Sequence, residues 1–204
     1  MANIAISPAL QQLIDALCGL PGIGPKTAQR MSFQLLSERG RQKGLTLCDA
    51  LQNTLECITL CTSCRSYTEQ TLCDLCLSPK RDRAKLCIVE TPADILAIEQ
   101  THSFLGLYYV LHGRLSPLDG IGPQEICIPQ LLNHIKKEAI TEVIIATNPT
   151  MEGRATAHYI VSHLDTSKIT CSQLAHGIPL GGELEYLDGG TLAHALQQRT
   201  LIEQ

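Results

Sequence analysis

Four cysteines constrain this chain more than any other feature: Cys61-Thr-Ser-Cys64 and Cys73-Asp-Leu-Cys76 are two CxxC pairs separated by eight residues. Each CxxC forms a tight knuckle that turns two thiolates the same way, and two such knuckles present four sulfurs to one tetrahedral cation. An all-sulfur set of this spacing suits zinc, so one Zn²⁺ per chain is the expected cofactor. Four sulfurs leave no position open for water, and the ion is expected to staple the segment rather than to catalyse. Cys57 lies one helical turn before Cys61 but breaks the symmetric pairing and stands outside the set. Cys18, Cys48, Cys87, Cys127 and Cys171 have apolar neighbours, and core packing is expected of them.

The two sides of this staple read differently. Before it, Leu10, Leu13, Ile14 and Leu17 recur at helical spacing from Pro8 to Leu20. A second helix starts at Pro25, a favourable first-turn residue, and is expected to run to a break at Gly40. A third carries Leu47, Leu51, Leu55 and Ile58 on one stripe. After Lys85, short apolar runs alternate with helical stretches. Strands are expected at Leu86–Glu90, Leu107–Leu111, Val143–Thr147 and Ile169–Leu174, with helices at Pro92–Gln100, Pro129–Glu138 and Gly153–Leu164. Such alternation implies a parallel sheet covered by helices. With only 3% aromatic residues, the core must be built from Leu, Ile, Val and Ala. The stretch from His176 to Gly190, rich in glycine, reads as a mobile loop before a short last helix.

Charge is unevenly placed. The net charge of -4 argues against a uniformly basic nucleic-acid binder, yet Lys26, Arg30, Arg39, Arg41 and Lys43 against Asp15 and Glu38 give residues 1–44 a charge of +3. Contact with phosphate is therefore expected in the N-terminal quarter. There Leu20-Pro-Gly-Ile-Gly-Pro-Lys-Thr27 joins two amphipathic helices. Gly22 and Gly24 allow positive φ and close approach of a phosphate, the start of the second helix offers free N–H groups, and Lys26 and Arg30, four apart, share a helical face. The segment resembles a helix-hairpin-helix, a DNA-binding element indifferent to sequence. It nearly spells a P-loop, but Pro25 interrupts the pattern and a helix precedes it, so nucleotide binding is not expected. Leu184-Glu-Tyr-Leu-Asp188 ends in Asp as a Walker B strand does, but implies no ATP hydrolysis without a P-loop. No apolar run reaches the roughly twenty residues of a membrane span, and the N-terminus lacks the pattern of a signal peptide, so the cytoplasm is the expected address.

In the βα region, Glu90 sits at the carboxyl end of one strand and Ala146-Thr-Asn-Pro-Thr-Met-Glu-Gly153 at the end of another, where ligands of open α/β sheets gather. These phrases resemble the two motifs of the Toprim domain. In catalytic Toprim domains the first motif supplies an acid–base glutamate and the second a pair of aspartates that hold Mg²⁺. Here Asn148 and Thr150 stand at the aspartate positions, and neutral groups are poor ligands for a hard dication. Only Glu90 and Glu152 keep their charge, so the fold is expected to be retained and the catalysis lost.

Helix-hairpin-helix, four-cysteine knuckle, a Toprim domain with Thr147-Asn-Pro-Thr150 and a glycine-rich tail, in that order, resemble the RecR family of recombination mediators. Ser116-Pro-Leu-Asp-Gly-Ile-Gly-Pro123 is similar to a loop of that family. The resemblance covers nearly the whole chain. It implies an α+β, α/β architecture of four parts: a helix-hairpin-helix region at 1–56, a four-cysteine zinc finger at 57–80, a Toprim domain at 81–176, and a C-terminal loop and helix at 177–204 that makes oligomer contacts. It implies a nucleoid-associated homo-oligomer, a tetrameric ring, that clamps gapped DNA or single/double-strand junctions. It implies partners RecO and RecF in loading recombinase onto single-stranded DNA, in a pathway independent of RecBC. The residues carried over are Cys61, Cys64, Cys73 and Cys76 for zinc, Gly22, Gly24, Lys26 and Arg30 for DNA, and none for catalysis. Glu90, Asn148 and Glu152 are expected to shape a strand-end surface for a partner, with a vestigial metal site as the alternative. Two other functions stay open: a Mg²⁺-dependent Toprim nuclease or topoisomerase-like enzyme, and a protein scaffold with no DNA binding of its own.

Overall fold

The structure, a computed structural model, describes residues 6–175, 177, 178, 181 and 183–197, with His194 and Gln197 described in backbone only. His176 and Gly182, from the expected glycine-rich loop, lie outside the described residues, as do 179, 180 and 198–204 of the expected C-terminal part. The chain divides into two compact units, Met1–Ile58 and Thr59–Gln204.

The first unit holds three helices. Helix α1 (Pro8–Cys18) starts behind Ser7, whose hydroxyl accepts from Leu10 N at 3.4 Å. Helix α2 (Pro25–Leu36) packs against both α1 and α3 (Glu38–Cys57). Among the described residues this unit buries Ile14, Ala28, Ser32 and Gly40. Gly40 does not break α2. The break comes earlier, at Ser37, whose extended backbone ends one helix while its hydroxyl accepts from Gly40 N at 3.1 Å to cap the next. Gly40 lies inside α3 because a Cβ there would come within 1.7 Å of Gln34 O: glycine serves the close approach of two helix ends.

The second unit begins with a small antiparallel ladder, β1 (Thr59–Leu60) on β2 (Tyr67–Thr68), followed by α4 (Asp74–Leu77). Then come β3 (Asp82–Val89), α5 (Pro92–Glu99), β4 (Gly106–Val110), α6 (Ile128–Lys137), β5 (Glu142–Ala146), α7 (Met151–Ser162) and β6 (Thr170–Gln173). The strands form a parallel sheet of order β4-β3-β5-β6. Side chains alternate across it. Leu86, Ile88, Leu107, Tyr109, Val143 and Ile145 meet Leu131 and Ile135 of α6 and Ile160 of α7, while Cys87, Val89, Tyr108 and Val110 meet Ile95 of α5. Burial on both faces explains why these strands read as continuous apolar runs. Leu184–Tyr186 is a short 3-10 helix with Leu184 and Tyr186 exposed, not a Walker-type strand, and α8 (Gly189–Gln197) follows.

Of the cysteines expected in the core, Cys87 is buried and Cys18, Cys127 and Cys171 are partly so, but Cys48 is exposed on α3. Its apolar neighbours Leu47 and Leu51 are themselves exposed, so they marked a surface stripe rather than a core.

Candidate metal centre and nucleic-acid interface

The ladder β1–β2 and helix α4 bring the two CxxC pairs together. Cys61, Cys64 and Cys76 are buried, Cys73 is partly so, and the four Sγ atoms all lie within 4.8 Å of one another. An ion with metal–sulfur bonds of about 2.3 Å in a tetrahedron holds its sulfurs roughly 3.8 Å apart. Cys64 Sγ and Cys73 Sγ are 3.5 Å apart, so the residues fit such an ion. The backbone supports negative sulfur: Ser66 N–H donates to Cys64 Sγ and Cys73 N–H to Cys61 Sγ, both at 3.4 Å. A hydrogen bond from Cys64 is the largest of the effects that pull the Cys76 thiol down to about 5, while that same bond, then burial, raises Cys64. Cys57, with its Sγ directed to Asn53 Oδ1 at 3.5 Å, is not one of the four.

The knuckle is fastened to the sheet. Val110 N–H, on the outer side of edge strand β4, donates to Cys64 O at 2.9 Å. His112 Nε2 bonds to Arg65 O at 2.6 Å, and its ring lies 5.6 Å from that of Tyr67. Arg83 Nη2 donates to Cys76 O at 3.1 Å. Arg65 adopts a left-handed φ of 63° between the two ladder strands, and its guanidinium lies 5.9 Å from the Tyr109 ring. Nearby, the Arg81 guanidinium pairs with Glu99, whose Oε1 also accepts from Tyr108 OH at 2.6 Å. The Arg81 hydrogen bond, the largest cause, holds the Glu99 carboxyl below its ordinary value.

In the first unit, Gly22 takes a φ of +79° as expected for the hairpin. Gly24 does not: its φ of -85° is extended, and it caps α2 without a side chain. A Cβ at either glycine would meet nothing within 4 Å, so both backbones are open to an approaching group. Lys26 and Arg30 are exposed on the first turns of α2 and form no ion pair among the described residues.

The strand-end group is more closed than its sequence implies. Glu90 is only 3% exposed, so it lies beneath the expected partner surface rather than on it. Its Oε1 accepts from Asn148 N and its Oε2 from Asn148 Nδ2, both at 2.8 Å, and Arg114 Nη1 stands 3.7 Å from Oε2. Thr150 caps α7 by accepting from Gly153 N at 3.1 Å, and a Cβ on Gly153 would come within 2.0 Å of Asn148 O. Asn148 is exposed and Glu152 partly so. Glu90 therefore clamps the loop that presents them. Sequence reasoning missed Arg114. It follows the end of β4, the strand beside β3, which Glu90 directly follows, and that is the one signal that could have found it.

Comparison with known proteins comes to the same place. The Toprim domain matches residues 84–175, the RecR helix-hairpin-helix residues 10–55, and the RecR C-terminal region residues 177–200. The chain is 61% identical to Recombination protein RecR of Coxiella burnetii, over 97% of this chain and 98% of that one. It is 55% identical to Recombination protein RecR of Stutzerimonas stutzeri, over 98% and 99%, and 54% identical to that of Saccharophagus degradans, over 96% and 99%.

Proposed function

The chain belongs to the RecR family of recombination proteins, and from that premise we propose that it is a non-catalytic clamp on DNA that mediates repair and recombination. The observation that carries this reading is the hairpin of the first unit. Lys26 and Arg30, exposed and unpaired among the described residues, stand beside the open backbone of Gly22 and Gly24 at the start of α2. Phosphate oxygens accept from such free N–H groups, the helix dipole favours them, and no base edge is needed. Binding of this kind ignores sequence and weakens steeply with salt.

The lack of catalysis is supported by the strand-end group. Both oxygens of Glu90 are taken by Asn148, and Arg114 supplies the nearby positive charge, which leaves Glu90 unsuited to ligate Mg²⁺ or move a proton. In this reading Asn148 and Glu152 shape a surface for a partner, Cys61, Cys64, Cys73 and Cys76 hold one structural Zn²⁺, and the chain is organised as 1–56, 57–80, 81–176 and 177–204. A homo-oligomer, closing as a tetrameric ring, is supported by Leu47, Leu51 and Leu55, an exposed apolar stripe on α3 that a second copy would cover. In this reading, which family membership supports, the chain works with RecO and RecF in loading recombinase on single-stranded DNA.

The test is fluorescence anisotropy of labelled gapped DNA across a salt series, comparing the wild type with Lys26→Ala/Arg30→Ala. The expected result is salt-sensitive binding by the wild type, with the slope of log K against log salt reduced by about 1 for each lost phosphate contact. No binding by the wild type at low salt would make the chain a scaffold that reaches DNA only through another protein.

A further inference from the structure

Between the four-cysteine knuckle and α6 lies a cleft of about 310 Å³ whose walls include Ser63, Cys76, Arg83, His134, Lys137 and Glu138. Arg83 and Lys137 form no ion pair among the described residues. His134 Nε2 is buried there without a hydrogen-bond partner. We propose that Arg83 and Lys137 are the counter-charges of the tetrathiolate centre, and that Arg83 also positions Cys76. The inference rests on the zinc reading above.

The argument is one of charge. Four thiolates around a divalent cation leave a net charge of about -2. Cys61, Cys64 and Cys76 are buried, so little of that charge is solvated directly, and buried charge is costly unless compensated. The cleft sets two cationic side chains, both exposed to solvent, on the Cys76 side of the cluster, and one of them, Arg83, is anchored to the Cys76 carbonyl at 3.1 Å. The same count decides what the cleft is not. Arg83 and Lys137 are opposed by Glu138 and by the cluster itself, which leaves no positive surplus for an external anion.

The two roles of Arg83 can be separated. Arg83→Lys keeps the charge, and Arg83→Gln keeps a donor for the Cys76 carbonyl without the charge. The zinc-loaded full-length chain is titrated with a chromophoric chelator, reading both the equilibrium and the rate of zinc transfer. Arg83→Gln and Lys137→Gln should each give up zinc about 10-fold more readily than the wild type, the scale of supporting groups around metal ligands. Arg83→Lys should stay close to the wild type, as should Lys168→Gln, whose side chain pairs with Asp165 away from this cleft. Added salt should narrow the gap, because exposed charges are screened. Wild-type zinc retention in both Gln variants would overturn the proposal. Equal loss in Arg83→Lys and Arg83→Gln would overturn the charge role and leave a geometric one. A wild type that takes up no zinc would refute the tetrathiolate reading itself, and this inference with it.

Discussion

The two units bury apolar side chains in opposite ways. In Thr59–Gln204, a parallel sheet covered on both faces encloses a large set of Leu, Ile, Val and Tyr side chains, many with no exposure at all. In Met1–Ile58, three helices bury Ile14, Ala28, Ser32 and Gly40, while Phe33, Leu36, Leu45, Leu47, Leu51 and Leu55 stay exposed. The lesson is that one unit builds a large enclosed core, although it too exposes side chains such as Leu118 and Met151. The other, among the described residues, leaves most of its large apolar side chains in water, as the interface proposed above would require. A helix whose leucine stripe faces water is stable only with other support, because most helix stability comes from tertiary packing.

Removing the metal should have the largest effect, and only on the second unit. Binding energies of structural zinc in small tetrahedral sites are about 10–16 kcal/mol. Chelation, or Cys61→Ser, is expected to unfold the segment around residues 59–80 and lower the melting temperature while α1, α2 and α3 keep their helicity. Unchanged melting at zero metal content would remove the staple from this account.

A second test contrasts the two kinds of leucine. Leu131, fully buried against the sheet, should cost about 2–5 kcal/mol as Leu131→Ala in urea unfolding. Leu55, 81% exposed, should cost under about 0.5 kcal/mol as Leu55→Ala in dilute solution, yet Leu55→Asp should shift the oligomer toward smaller species in light scattering. Equal destabilisation at both sites would break the contrast between the units.

Next in size is Glu90→Ala, which leaves the backbone and side-chain amides of Asn148 without their acceptor. The cost should be about 1–3 kcal/mol, with Glu90→Gln milder, and the readout is again urea unfolding. The smallest effect is a pH dependence. Because Arg81 holds Glu99 below its ordinary value, this pair stabilises the second unit fully above the unfolded carboxyl value of about 4.3, and the contribution is lost as pH falls through the lower folded value. Glu99→Gln should therefore flatten the decline in melting temperature below about pH 4.3. A decline as steep as that of the wild type would assign it to other carboxylates.

Much of this was legible in the residues. The CxxC spacing set the four sulfurs in one place because two short knuckles can present them only to a common centre, and the apolar runs Leu86–Val89 and Val143–Ala146 marked central strands because both their faces are covered. Proline at a helix start carried its own local chemistry, as Pro25 did for α2. Gly40 was misread because a glycine that ends a helix and one that permits close approach look alike until Gln34 O is seen beside it.

What the sequence by itself determined is therefore whatever depends on period and spacing: the helices before the cysteines, the alternation of strands and helices after them, the four-cysteine set and the cationic hairpin. Only the tertiary structure decided which polar groups are enclosed and which leucines are not. It put Glu90 under Asn148 and beside Arg114, and it brought Arg83 from β3 and Lys137 from α6 to the same cleft beside Cys76. It left Leu47, Leu51 and Leu55 in water. The reason is physical: burial and charge pairing depend on neighbours far apart in the chain, which a local pattern of residues does not encode.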